Sequence, residues 1–185
     1  MIFFIIIWAV WATSEIVINR LFRSSSYGKG SQDRGSVKFI WITLAIGNTL
    51  GILAANFSGF RISTNPFIQY AGLGLILAGM IFRFISILTL GRFFTVDVTI
   101  QRNHILKQDG FYRFIRHPSY LGMIISFIGF GFSLDNWISL FIITVPLTLA
   151  IIYRIKIEEK LLAEQFGSAY TDYMKKTYRL FPLIY

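Results

Sequence analysis

The chain has 185 residues, of which 55% are hydrophobic and only 15% charged, well under the roughly 25% charged of a soluble domain, and its mean hydropathy is +0.60. Lipid is therefore the solvent for most of it, and the length holds a single polytopic membrane domain, 1–185, with no room for a second. The net charge of +9 does not point to nucleic acid, because the basic residues gather in alternate loops; the lack of cysteine excludes disulfides, thiolate metal sites and cysteine nucleophiles.

A membrane span needs roughly 20 mostly apolar residues. Five segments qualify in chain order: Ile2–Leu21, Val37–Phe57, Pro66–Leu90, Ser119–Ser133 and Trp137–Tyr153. The first lacks the basic flank of a signal peptide and reads as a retained span. Ser24–Ser36, rich in Ser, Gly and charge, is a flexible connector. Asn65-Pro66 opens the third span, with proline in the first turn where its missing N–H costs nothing. The polar stretch Gly91–Arg116 follows, with Phe93–Ile100 expected to run extended and Asp109-Gly110 as a turn. The fourth segment is short, but Leu134-Asp135-Asn136 turns straight into the fifth, which makes the two antiparallel neighbours. Beyond it, Ile155–Tyr178 carries apolar residues at three- and four-residue intervals, the pattern of an amphipathic helical tail with a break at Gly167.

Basic residues crowd the first loop, the third loop and the tail, whereas the second loop carries only Arg61 and the fourth carries Asp135 and no base. The positive-inside rule makes the crowded loops cytoplasmic, with the N-terminus outside and the C-terminus inside. The fold class is then an all-α membrane protein of five helices. Residues 1–91 form a three-helix scaffold, and 92–185 carry the chemistry.

Several residues invite a functional reading. Gly72-Leu73-Gly74 with Gly79 loosely resembles a nucleotide loop, yet no strand precedes it; small residues for close helix packing are the better account. Glu15 and Arg83 sit at matching depths, roughly 12 Å inside the cytoplasmic end at ~1.5 Å per residue. Such charges are usually paired or face a cavity, so either they meet, near Asn48, or Arg83 snorkels. His104 and His117 lack metal-ligand spacing, and no metal is expected. Pro118 biases His117 away from helical geometry, which leaves a helix start and a ligand site as open alternatives. Arg154 and Glu158 are spaced i, i+4 on one helical face. The Asp135 turn brings them to the His117 side, where a guanidinium beside an apolar channel suits a lipophilic substrate with an anionic head.

These residues carry a resemblance. Asn103-His104-Ile105-Leu106-Lys107, Gly110-Phe111-Tyr112 and Arg116-His117-Pro118-Ser119-Tyr120 with Gly122 resemble the isoprenylcysteine carboxyl methyltransferase (ICMT) family. Arg154, Glu158-Glu159, Leu162, Phe166-Gly167, Tyr170, Tyr173 and Leu180-Phe181-Pro182 continue the likeness in order, over roughly 90–185. The resemblance implies a methyltransferase that uses S-adenosylmethionine (SAM), without a Rossmann domain, and releases S-adenosylhomocysteine. Carried over by position, His104, Ile105, Leu106, Lys107, Tyr112, His117, Pro118, Ser119 and Tyr120 would contact the cofactor, in a cytoplasmic pocket of the third loop, fourth span and tail. Arg154 and Glu158 would be catalytic, facing the substrate carboxylate. A family position that is often glutamine falls near Asp97. The implied acceptor is lipophilic, a small molecule or a prenylated substrate, met in membrane lipid; no nucleic acid and no obligate protein partner are implied. The compact length suggests a prokaryotic-type enzyme of the cytoplasmic membrane. Two related readings share parts of the motif: a phospholipid amine methyltransferase, and a nicotinamide-dependent sterol-type reductase. The reductases tend to show Asn, an acid and Trp where Ser119, Met123 and Tyr112 stand.

Overall fold

The computed structural model describes residues 2–22, 35–94, 96 and 105–182. Among these there are six α-helices and no strand: α1 Ile2–Leu21, α2 Ser36–Phe57, α3 Phe67–Leu90, α4 Pro118–Ser133, α5 Trp137–Phe166 and α6 Ser168–Lys176. Two short 3₁₀ turns, Gly91–Phe93 and Gly110–Arg113, lie between α3 and α4. Phe93 thus lies in a tight turn, and Phe94 after it is extended. Most of the predicted extended run lies outside the described residues.

Four helices are long and apolar enough to cross a membrane: α1, α2, α3 and α5. The fourth helix is different in kind. Its 16 residues reach about 24 Å at ~1.5 Å each, short of the roughly 30 Å hydrocarbon core, and twelve of them are buried. It is apolar all round because protein surrounds it, not because lipid does.

Glycines set the α3–α4 contact. A methyl group added at Gly72 would lie 2.6 Å from the Gly129 carbonyl, and one at Gly79 would lie 2.6 Å from the Gly122 carbonyl. Both pairs are seven residues apart, so two antiparallel helices meet backbone to backbone at two matched points. Lipid tails are as apolar as leucine, so close packing takes over the role that hydrophobicity plays in water. The small-residue account of Gly72 and Gly79 therefore holds.

The other helices close around this pair. Trp11 of α1 packs on Phe127 and Phe130 with ring centroids 4.6 and 5.4 Å apart, and Trp8 Nε1 donates to Ser133 Oγ at 3.0 Å. Ser139 Oγ of α5 donates to the Gly51 carbonyl of α2 at 2.6 Å. At the α4–α5 turn, Asp135 adopts φ 51°, a left-handed conformation that aspartate tolerates better than most residues. Its carboxylate accepts from Arg61 Nε at 2.9 Å and from the Ser63 N–H at 3.0 Å. Asn136 caps α5 by accepting from the Ser139 N–H at 3.0 Å.

The tail differs from its expected form. No separate helix starts at Ile155. Helix α5 runs unbroken for 30 residues to Phe166, because the loss of apolar character at Arg154 removes lipid contact without interrupting the backbone ladder. The break comes at Gly167, φ 54°, and α6 then buries Tyr170 and Tyr173.

Candidate functional site

The start of α4 is shaped by a neighbour remote in sequence. Tyr178 and Arg179 run beside residues 114–117: the Tyr178 N–H donates to the Phe114 carbonyl at 2.9 Å, Arg116 N–H to the Tyr178 carbonyl at 2.8 Å, and His117 N–H to the Arg179 carbonyl at 3.1 Å. Arg116 Nε donates to Glu159 Oε1 at 2.9 Å and Arg179 Nε to Glu159 Oε2 at 2.8 Å. Arg116 Nη1 also reaches the Met174 carbonyl at 3.1 Å and the Thr177 carbonyl. One buried carboxylate thus ties α5, the segment before α4 and the stretch after α6 together. Two guanidiniums on one carboxylate meet the condition under which burying charge is tolerable.

His117 has φ −124° and ψ 57°, outside the helix as its proline neighbour requires, and it is 5% exposed. Its ring stacks on Tyr120 with centroids 5.7 Å apart. Nδ1 lies 3.9 Å from Glu158 Oε1, and Nε2 lies 3.4 Å from Glu159 Oε1 without the alignment of a hydrogen bond.

Tyr120 joins the two clusters that the Asp135 turn brings together. Arg154 Nε donates to the Tyr120 hydroxyl at 2.7 Å, and that hydroxyl donates to Glu158 Oε2 at 2.7 Å. Arg154 is 3% exposed; its Nη1 donates to Ser36 Oγ at 2.7 Å and its Nη2 to the Val96 carbonyl. Arg154 and Glu158, spaced for a direct pair, are bridged by a phenol from another helix. A crevice opens beside Tyr120 and Arg154, with apolar walls from Ile18 of α1, Val37, Ile40 and Trp41 of α2, Phe94 and Met123. Glu15 and Arg83 also line it, and they do meet: Arg83 Nε lies 2.9 Å from Glu15 Oε1. Arg83 Nη1 donates to the Ser119 carbonyl at 3.0 Å and hydroxyl at 2.9 Å, so Ser119 faces α3 and Arg83 does not snorkel.

Tyr112 and Tyr173 form a second hydrogen-bonded layer. Tyr173 OH donates to the Tyr112 carbonyl at 2.6 Å, and Tyr112 OH donates to the Ser86 carbonyl at 3.3 Å. Burial pushes both phenols above the ordinary tyrosine value, so they remain protonated donors.

Of the residues singled out in the sequence, His117, Tyr120, Arg154 and Glu158 come together. Pro118 is buried in the first turn of α4. Ile105 is 62% exposed, Leu106 is half-buried, and Lys107 pairs with Asp109 at 2.9 Å. No hydrogen bond or ion pair joins these three to the His117 cluster among the described residues. His104 and Asp97 lie outside the described residues. Sequence reasoning missed Ser36 and Val96 as partners of Arg154, and Glu159 as the center of the arginine knot. Only the Glu158-Glu159 doublet signalled the last.

The family model for the isoprenylcysteine carboxyl methyltransferase (ICMT) family matches residues 72–164, half of the chain. The chain belongs to this family. Its relatives include a protein-S-isoprenylcysteine O-methyltransferase of Schizosaccharomyces pombe, 35% identical over 118 residues that cover 63% of this chain and 50% of the relative. Another is the protein-S-isoprenylcysteine O-methyltransferase B of Arabidopsis thaliana, 37% identical over 107 residues, 57% of this chain and 54% of the relative. The solved structure of a eukaryotic intramembrane Ras methyltransferase, ICMT, aligns with TM-score 0.59 and 25% identity over 85% of this chain and 54% of that one. The chain spans about half the length of these ICMT proteins. They are eukaryotic, and the prokaryotic-type label that compactness suggested finds no support in them.

Proposed function

We propose that this membrane chain is a SAM-dependent methyltransferase that esterifies the carboxylate of a lipophilic, isoprenylcysteine-like acceptor. The observation that carries the proposal is the Tyr120 hydroxyl held between Arg154 and Glu158 at the polar end of an apolar crevice. A carboxylate is ionised at neutral pH, so its methylation needs no strong general base. It needs a cation to orient the anion, an apolar trough for the tail, and exclusion of water. Arg154 is the orienting cation, fixed on three sides by Tyr120, Ser36 and Val96. Glu158, held by Tyr120, keeps a negative charge near the reacting center. The names of the relatives support the same acceptor class.

The residues fit the cofactor chemically. His117 Nε2 is a buried polar atom without an aligned partner, and Glu158 offers a carboxylate to a cation. His117, Pro118, Ser119 and Tyr120 with Tyr112 and the 104–107 stretch would hold SAM, which when bound supplies an electrophilic methyl group on a sulfonium. Five crossings, with the fourth short and sheathed in protein, put the N-terminus outside and this site on the cytoplasmic side; the basic first and third loops support that orientation.

Purified protein in lipid nanodiscs, given labelled SAM and an N-acylated S-isoprenyl cysteine, should form a base-labile methyl ester. A base-stable methylamine on phospholipid would assign the amine acceptor instead. Binding of NADPH without binding of SAM would reject methyl transfer altogether.

A further inference from the structure

Helix α1 is held to the rest of the protein by one narrow stripe, Ile7, Trp11 and Glu15, and most of its remaining surface is exposed. The aromatic contacts of Trp8 and Trp11 fasten the half remote from the crevice. The half that walls the crevice is fastened by polar links that lead to the site and, at its end, by Phe22 against Phe94 with ring centroids 5.2 Å apart. Glu15 meets Arg83 at 2.9 Å, and Arg83 donates twice to Ser119, the residue before Tyr120. At the end of α1, the Phe22 carbonyl accepts from the Val96 N–H at 2.9 Å, and the Val96 carbonyl accepts from Arg154. Two chains of contacts therefore run from α1 to the two members of the Tyr120–Arg154 pair.

Glu15, Ile18 and Arg83 also line a second groove between α1 and α3, whose other walls include Ser14, Met80, Ile81 and Phe84. The ion pair is the partition between that groove and the crevice of the site. A water-soluble protein gains little from one salt bridge, but in lipid neither Glu15 nor Arg83 can turn to water for the charge it loses when the pair is broken. The pair is therefore a strong constraint on where α1 sits.

We propose that Glu15 and Arg83 are positioning residues for the methyl transfer: Glu15 sets the α1 wall of the acceptor crevice, and Arg83 couples that wall to the first turn of α4. The proposal rests on the methyltransferase reading for its kinetic half only. The two residues then have separable effects. Among the described residues Glu15 has its ion pair with Arg83, so its loss loosens the acceptor side. Arg83 also holds Ser119, so its loss disturbs both the acceptor side and the cofactor side.

Because the chain has no cysteine, spin labels can be placed at Ile18→Cys and Phe84→Cys without background. In nanodiscs the interspin distance distribution should be narrow and should broaden when Glu15→Gln is added, with no turnover required. Kinetically, Glu15→Gln should raise the acceptor KM about tenfold and leave the SAM Kd within about twofold. Arg83→Gln should weaken both. The exchange Glu15→Arg with Arg83→Glu should restore the narrow distribution and the acceptor KM while SAM binding stays weak, since a glutamate cannot donate to the Ser119 carbonyl. An unchanged distance distribution in Glu15→Gln overturns the positional role whatever the enzyme's activity. In Glu15→Gln, an unchanged acceptor KM beside a lowered kcat, or equal loss of both substrates, reduces the pair to a structural one. If wild-type protein methylates neither acceptor, the functional reading fails while the distance experiment still decides the clasp.

Discussion

Arg154 is the residue on which the proposed chemistry turns, and its surroundings define what its loss should do. It contacts Tyr120, Ser36 and Val96, and Tyr120 and Val96 line the crevice. Arg154→Ala should lower kcat about 10²–10³-fold, the scale of removing one preorganised electrostatic group. Calorimetric SAM binding should be largely spared; loss of both together would make Arg154 structural. Tyr120→Phe keeps the ring that stacks on His117 but removes the hydroxyl bridge. It should lower kcat/KM about tenfold or more, as expected for a hydrogen bond to a charged group. The i, i+4 spacing of Arg154 and Glu158 was legible in the sequence, and so was the depth match of Glu15 and Arg83. The Tyr120 bridge was not, because pairs at i, i+4 satisfy each other in any isolated helix and only the packing of α4 on α5 inserts a third group. Ser36 and Val96 left no signal, since a hydroxyl at a helix start and a backbone carbonyl look alike at any position.

Among the elements, α3 and α4 depend most on what is absent. A side chain at Gly79 would need the space of the Gly122 carbonyl and the Ser126 backbone. Gly79→Leu should destabilise by about 1–3 kcal/mol through overpacking, measured by thermal unfolding in detergent, whereas Gly74→Leu, with open space around it, should be close to neutral. Helix starts were legible to within a residue because hydropathy and proline both mark them: Val37 against Ser36, Pro66 against Phe67, Ser119 against Pro118. The apolar span was expected to end at Tyr153 and a tail helix to follow from Ile155, whereas α5 runs on as one helix to Phe166 and ends at the expected break, Gly167. Hydropathy reports where lipid contact stops, while only glycine at Gly167 reports where the backbone turns.

For the whole molecule, the layer of buried tyrosines packed around α6 should govern the response to alkali. Tyr112, Tyr170 and Tyr173 are raised by burial above the ordinary tyrosine value. In the unfolded chain they titrate near ~10; in the folded chain they hold their protons beyond that. Their stabilising contribution is thus complete below about pH 10 and is lost as pH rises through the folded values. The melting temperature should fall steeply above about pH 10, and phenolate absorbance from these three should appear together with unfolding. The order of helices and the hairpin at Asp135 could be read from the sequence. The pairing of residues 114–117 with 178–179 could not, because it joins segments some sixty positions apart and no local pattern encodes that path.

That last pairing has a consequence for biosynthesis. The Arg116–Glu159–Arg179 knot and the backbone bonds of Tyr178 and Arg179 require residues made after all the apolar helices. Synthesis proceeds from the N-terminus at about 5–20 residues per second. The apolar helices can therefore be laid in the bilayer while His117 is still unclamped. An apolar crevice would exist before its polar end is clamped, and assembly of the molecule would be timed by its final thread and not by its membrane insertion.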